Sequence, residues 1–316
     1  MLAEGFLSEL QTLLPVKREE PMARHTTFHI GGPADAYVQA RTCQQLQQAV
    51  SLAQQWEVPL FVLGAGSNLL VGDKGIRGLA VETWANADLS SERLWMKASS
   101  CASPVRVWAF CGMPLPRLAY QTARAGLAGL EWAVGIPGTV GGGVVNNAGA
   151  HGGAMADVVR AVLVQEAGGQ RVLTQEELAF GYRASHFRGP DAETGTPPVI
   201  LAAELELTPE APEILEARIA ENVAHRHTTQ PSQRSVGSIF KNPEGHAAGW
   251  LIEQVGLKGH RIGDAQISSK HANFIVNRGH ALATEVNELV YLAQAKVAAT
   301  FSIRLELEIQ RVGAGV

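Results

Sequence analysis

The order of segments predicts a mixed helix-and-strand protein of two or three domains with a parallel sheet segment, organised around a bound phosphate group. Three observations carry this. A chain of 316 residues is longer than one hydrophobic core usually serves. Strand-like, helix-like and strand-like segments follow one another between residues 36 and 63, the β-α-β order of a parallel sheet. Two glycine-rich loops, at residues 64–70 and 135–149, sit among apolar residues. The second has five glycines and a proline within nine residues, Gly135-Ile136-Pro137-Gly138-Thr139-Val140-Gly141-Gly142-Gly143. A flexible linker of that glycine content would carry Ser, Glu or Lys, whereas this one is interleaved with Val and Ile. Such glycines imply backbone pressed against something at φ values other residues avoid. Pro137 removes one amide; the others are free to curl around an anion such as a diphosphate.

Taking the elements in order, residues 1–14 read as an amphipathic helix with Phe6, Leu7, Leu10, Leu13 and Leu14 on one side. Residues 36–40 form a strand. Thr42 starts a helix with Gln45 as its capping-box partner, and Leu46, Ala49, Val50, Ala53 and Trp56 give it a buried face. Residues 60–63 form a buried strand that runs into Gly64-Ala65-Gly66-Ser67-Asn68-Leu69-Leu70. A glycine turn at the carboxyl end of a strand is where α/β folds hold phosphates. Here a strand-like run follows rather than a helix, so the loop is not a nicotinamide-dinucleotide fingerprint. Two such loops, each flanked by strand, fit a different diphosphate cofactor fold. Strands are expected at 79–82 and 94–98, a helix starting at Ser103-Pro104, and a helix over 115–125 ending at Gly126. Beyond the second loop, 158–165 reads as a strand. Thr174-Gln175-Glu176-Glu177 caps a short helix ending near Gly181, 189–198 is a loop and 199–207 a strand. Thr208-Pro209 opens a polar helix to about Arg226. A helix at 248–255, a strand at 274–277, a long helix at 282–300 and an alternating, half-exposed strand at 303–309 complete the chain.

Composition narrows the function. The residues are 46% apolar and 18% charged with a net charge of −4, so nothing resembles a basic nucleic-acid footprint. No apolar run reaches the roughly 20 residues that span a bilayer, and the first residues carry Glu4 and Glu9 rather than a secretory basic region. Three cysteines without metal-ligand spacing, Cys43, Cys101 and Cys111, suit a reducing compartment and a cytoplasmic protein. The histidines lack zinc spacing, and no metal is expected.

Single residues say less. Arg183 alone reads as a surface or ion-paired arginine, Ser238 as a turn serine and Glu308 as an outward-facing strand residue. No G-x-S-x-G or S-x-x-K pattern supports a hydrolase. Six motifs in order change the reading: Gly64-Ala65-Gly66-Ser67-Asn68-Leu69-Leu70-Val71; Gly135-Ile136-Pro137-Gly138-Thr139-Val140-Gly141-Gly142; Tyr182-Arg183-x-Ser185-x-Phe187; Gly237-Ser238-x-Phe240-Lys241-Asn242-Pro243; Ala248-Gly249-Trp250-Leu251-Ile252-Glu253-Gln254; and Leu305-Glu306-x-Glu308. Together, over roughly residues 22–312, they resemble the UDP-N-acetylenolpyruvoylglucosamine reductases, flavoenzymes of peptidoglycan precursor synthesis.

The resemblance implies an α+β fold, with a two-part FAD-binding module of the vanillyl-alcohol-oxidase type plus an α/β substrate-binding domain. Residues 1–84 and 85–208 would form the module and 209–303 the substrate domain, with 304–316 returning near the active site. Gly64, Ala65, Gly66, Ser67, Asn68 and Leu69, with Gly135, Ile136, Pro137, Gly138, Thr139, Gly141 and Gly142, would wrap FAD, and Asn147, Ala148 and Gly149 would lie close by. The catalytic arginine falls on Arg183, the proton-donating serine on Ser238 and the acidic partner on Glu308. NADPH would reduce FAD, and the enolpyruvyl group of UDP-N-acetylglucosamine enolpyruvate would take hydride at C3 and a proton at C2. Arg183 would hold the charge that collects on the substrate carboxylate. Glu308 would assist when protonated, its pKa raised by burial. Tyr182, Lys241, Asn242, Gln254 and Lys258 would contact the UDP-sugar.

Two features depart from the family pattern. Only 15 residues separate Arg183 from Val199, so the chain resembles a shorter class lacking a tyrosine-bearing closing loop, and Gln310 stands where many members carry a basic residue. A flavin oxidase, for which His25 and His151 are the nearest covalent-attachment candidates, and a non-catalytic UDP-sugar-binding protein are the competing readings.

Overall fold

The computed structural model describes residues 2–84, 104–188 and 198–316. Helix α1 (Glu4–Leu13) buries Phe6, Leu7 and Leu10; Leu13 is exposed, and Leu14 just beyond the helix is buried instead. Strands β1 (Lys17–Pro21) and β2 (Pro33–Ala40) pair antiparallel. Helix α2 (Cys43–Gln55) leads to β3 (Leu60–Leu63), followed by the short β4 (Leu69–Val71) and β5 (Ile76–Thr83). Thr42 caps α2 by accepting from the Gln45 amide, while the Gln45 side chain reaches past Thr42 to the Arg41 amide. Leu46, Ala49, Val50 and Ala53 are buried as expected, but Trp56 lies at the surface against Phe6. The sheet order β1-β2-β5-β3 inserts β5 between the strands of the β-α-β unit, parallel to both. A central strand is covered on both faces, and β5 is exposed only at Arg77, with Leu79, Ala80 and Val81 at its buried centre.

The middle of the chain builds a second sheet. Residues following the expected helix start at Ser103-Pro104 form strand β6 (Val105–Phe110) instead. Val105, Val107 and Ala109 alternate with Arg106, Trp108 and Phe110, a period of two that a β-branched, aromatic segment satisfies better as strand than as helix. Ser103 itself and the strand expected at 94–98 lie outside the described residues, as does nearly all of the loop at 189–198. Helix α3 (Leu115–Arg124) ends before Gly126, whose φ of 70° is left-handed. Then come β7 (Leu127–Ala128), the short helix α4 (Val140–Val145), the hairpin β8 (Gly149–Ala150) and β9 (Gly153–Ala154), α5 (Met155–Val158), and strands β10 (Val159–Glu166), β11 (Gly169–Thr174) and β12 (Val199–Pro209). The second glycine loop is therefore preceded by a 3-10 turn (Glu131–Gly135) rather than by the expected strand, contains α4 and runs into the short β8. The expected helix after Thr174 is a single turn: Glu177 accepts from the Thr174 amide, but the chain does not continue helically. The sheet order is β11-β10-β12-β6.

Thr208 and Pro209 do not open a helix. They end β12 by pairing with Ala128 and Leu127 of β7. Helix α6 (Pro212–Thr229) starts three residues later with proline in its first turn, where no amide is needed. It packs on α3 and the 131–135 turn, and its Leu215 and Ile219 join the first core. Helix α7 (Ala248–Gln254), the small sheet β13 (Arg261–Ile262), β14 (Ala265–Ile267) and β15 (Ile275–Asn277), and the long α8 (Ala283–Phe301) form a separate core with Val236, Phe240 and Leu305. Residues 303–309 are extended but only bridged, at Phe240 and Leu307; the regular strand is β16 (Gln310–Val312), parallel to β4.

Candidate active site

Residues from all three parts of the chain line one cavity of about 430 Å³. One wall is the loop after β3. Gly66 has φ 58°, and a Cβ there would lie 2.2 Å from the His25 carbonyl oxygen. A Cβ on Gly64 would lie 2.2 Å from the Thr139 hydroxyl, so glycine lets the first loop meet the second. Thr139 is buried, and its hydroxyl accepts from the Gly142 amide to cap α4. A Cβ on Gly142 meets nothing nearer than 3.7 Å, so its face is open. The amides of Ala65, Gly66, Ser67, Asn68 and Gly138 donate to no described residue. Unpaired amides converging on a cavity form an anion nest, so these loops fit the diphosphate of a dinucleotide such as FAD.

At the other wall stand Arg183, Ser238 and Glu308, brought together from three elements. Arg183 sits in a four-residue turn closed by reciprocal bonds between Gly181 and Ala184. Its φ of 54° is left-handed, unusual for a side chain of its size. Its Nη2 donates to the Gly149 carbonyl at 2.9 Å, and its Nε lies 3.0 Å from Glu308 Oε1. That N–H is not aimed at the oxygen, so the contact is an ion pair without an aligned hydrogen bond. Asn147 supports the turn by donating to the Gly181 carbonyl, and accepts from the Ala156 amide. Ser238 follows Gly237 (φ 79°) and precedes a segment tied to Asn273 and to residues 306–308. Its hydroxyl makes no hydrogen bond with a described residue and faces the cavity. Glu308 interrupts the outward alternation: its amide donates to Ile239, and its carboxyl turns inward. Burial pushes that carboxyl above the ordinary carboxylate value, against the pull of Arg183, Arg188 and Lys241.

The other expected contacts differ in position. Ile136, Pro137, Gly141, Leu69, Ala148 and Gly149 line the cavity, whereas Gly135 and Asn147 stand just behind it. Tyr182 is 60% exposed at the tip of the turn, its ring 5.7 Å from the Arg183 guanidinium. Lys241 pairs with Glu306 at 3.5 Å, and Asn242 accepts from the Ala248 amide at the start of α7. Gln254 is exposed at the end of α7, and Lys258 pairs with Glu253 at 2.9 Å. None of these five lines the cavity.

Two lining or supporting residues, Arg188 and Arg226, carry no local sequence signal, while Asn146 belongs to the second glycine loop. Asn146 Oδ1 accepts from both Asn68 and Arg188. Arg188 also donates to the Glu308 carbonyl. Arg226, whose stem packs on Gly135, lines the cavity with no ion pair or hydrogen bond from its guanidinium to a described residue. Burial alone holds its pKa below the usual arginine value. The histidines considered for covalent flavin attachment are placed otherwise: both ring nitrogens of His25 lie 3.0 Å from carboxylates, Glu82 and Glu20, outside the cavity lining. His151 lines a separate polar cleft of about 570 Å³ beside α6. The arginines of that cleft are already paired, Arg160 with Glu206 at 3.1 Å and Arg218 with Glu210 at 2.7 Å. Among the described residues no cluster of three or more His, Cys, Asp or Glu side chains could hold a metal ion, and no helix is long and apolar enough to cross a membrane.

Known proteins match this arrangement. Residues 34–174 match an FAD binding domain, and residues 230–312 match the C-terminal domain of UDP-N-acetylenolpyruvoylglucosamine reductase. UDP-N-acetylenolpyruvoylglucosamine reductase 2 of Symbiobacterium thermophilum is 42% identical over 98% of this chain and 96% of its own. The reductase of Synechococcus sp. (strain JA-3-3Ab) is 44% identical over 93% of this chain and 90% of its own. A crystal structure of the Thermus caldophilus reductase covers 95% of this chain and 100% of that one, with a TM-score of 0.76 at 38% identity.

Proposed function

The chain belongs to the UDP-N-acetylenolpyruvoylglucosamine reductase family of FAD-dependent oxidoreductases, and from that premise we propose that it reduces UDP-N-acetylglucosamine enolpyruvate with NADPH, in the cytoplasm where nucleotide-linked precursors are made. The observation that carries this reading is the convergence of Arg183, Ser238 and Glu308 on the cavity lined by both glycine loops. Residues 1–84 and 85–208 act as the halves of the FAD module and 209–303 as the substrate-binding part. Bound FAD supplies the hydride, taken from NADPH, that adds to C3 of the enolpyruvyl group.

The chain's own residues do the rest. The free amides of both loops and the Arg226 guanidinium hold ligand phosphates; a half-buried cation with no partner among the described residues is stabilised when an anion joins it. Arg183 faces the substrate carboxylate and holds the negative charge that develops there as C2 becomes carbanionic. Burial shifts the Glu308 carboxyl toward its protonated form, in which it donates rather than repels, and its contact with Arg183 fixes the guanidinium. Ser238 gives its hydroxyl proton to C2, and water restores it. An alcohol is a weak acid, but the acceptor here is a strong base. Tyr182, Lys241, Asn242, Gln254 and Lys258 are assigned to the UDP-sugar as it docks over the cavity mouth.

Ser238→Ala tests the assignment by half-reaction. NADPH should bleach the bound flavin at the wild-type rate, while reoxidation by the enolpyruvate slows at least about 100-fold. Equal reoxidation rates in the variant and the wild type would remove Ser238 from the reaction.

A further inference from the structure

Glu308 comes from a segment with little regular pairing of its own, yet the reading above requires its carboxyl to be held in one place and one protonation state. Its main chain is fixed from outside. The Arg188 guanidinium spans two acceptors, Asn146 Oδ1 at 2.6 Å and the Glu308 carbonyl. Asn68 Nδ2 reaches the same two, at 3.0 and 3.2 Å. The Asn68 carbonyl then accepts from the Gln310 amide at 2.9 Å. The segment 308–310 is thus clamped to the first glycine loop and to the end of α4, and Arg188 is the only charged member of the clamp. We propose that Arg188 is a positioning residue of the reaction: it anchors the Glu308 main chain against both cofactor loops and sets the charge balance around the Glu308 carboxyl.

The inference rests on the reading of Glu308 as a neutral donor. Three cations face that carboxyl: Arg183 from the 181–184 turn, Arg188 from the short 3-10 turn His186–Arg188, and Lys241 from the segment that bridges to Leu307. Arg183 also contacts it directly, and Lys241 is shared with Glu306. Removing Arg188 takes one positive charge from the carboxyl's surroundings, so the proton is held to higher pH. An Asn146 oxygen and a main-chain carbonyl also lose a two-pronged donor that lysine, a single point charge, does not replace.

The experiment measures kcat against pH for the FAD-loaded wild type, Arg188→Met, Arg188→Lys and Glu308→Gln, with flavin content and Tm recorded for each. Glu308→Gln should keep part of the activity and lose the alkaline limb of the profile. Arg188→Met should move that limb up by about 0.5–1 pH unit and lower kcat about tenfold or more, as small displacements of reacting groups do. Arg188→Lys should leave the limb in place yet share the loss in kcat. If Glu308→Gln keeps the wild-type limb, the reading of Glu308 fails. If Glu308→Gln loses the limb while Arg188→Met leaves limb and kcat unchanged, the positioning role alone fails. Arg188→Met that loses kcat together with flavin and Tm, its limb unmoved, would reduce Arg188 to a fold contact and likewise overturn the proposal.

Discussion

A methyl group at residue 64 would lie 2.2 Å from the Thr139 hydroxyl and 3.0 Å from its methyl. Both atoms belong to a buried side chain that already caps α4, so neither can retreat cheaply. Gly64→Ala should therefore cost about 1–3 kcal/mol of overpacking and part the two loops. Calorimetry should show a lower Tm, and flavin titration a weaker FAD Kd; wild-type values in both would mean the loops do not depend on this contact. Gly64 was legible in the sequence because close approach admits almost no other residue. Arg188 and Arg226 were not. A lone arginine has many innocuous uses, and the partners that give Arg188 its meaning lie 42 and 120 residues away in the chain. Glu308 was legible only through the whole set of motifs, since alternation alone would have turned it outward.

The first glycine loop rests on a buried ionic element. His25, at the end of a 3-10 turn (Met22–His25), lies between Glu20 of β1 and Glu82 of β5, and Tyr37 of β2 donates to Glu82. The Thr27 amide donates to the Gly66 carbonyl, so the cluster stands directly behind the loop. Burial alone would raise Glu82 and Glu20, but hydrogen bonds from His25 hold both below the ordinary carboxylate value. Burial would likewise lower His25, yet its two carboxylate partners raise it. The depressed acids stabilise the fold above their unfolded pKa and lose that contribution as pH falls through their folded values. The raised imidazole stabilises fully below its unfolded pKa and loses the effect as pH rises through its folded value. The Tm gap between the wild type and His25→Gln should thus be widest between the ordinary values of 4.5 and 6.5 and shrink on both sides. A gap that is constant with pH would show packing rather than charge. At this scale the sequence revealed elements best where periodicity ran long, as in α2 and α8. It misread β6 because a Ser-Pro start signal outranked a period of two. It also placed the start of α6 early, because Thr208-Pro209 offers the chemistry of a cap while its tertiary partner, β7, is invisible locally.

The molecule as a whole explains why the cavity needs every part of the chain. The β3 loop brings Leu63 and Leu69 from one small core, α3 and the second loop bring Leu115 and Ile136 from the largest, and Val236 comes from the C-terminal core. The final strand β16 then crosses back to pair with β4 and carries Glu308 to the seam. No segment alone holds both loops and all three chemistry-bearing residues, which is why the site emerged from the sequence only as an ordered set of motifs. The most direct test of the account uses the purified, FAD-loaded protein without oxygen. NADPH should bleach the flavin absorption, and UDP-N-acetylglucosamine enolpyruvate should then restore it, with one equivalent consumed per flavin. Colour that returns only when air is admitted, with the enolpyruvate left unchanged, would contradict the reductase reading.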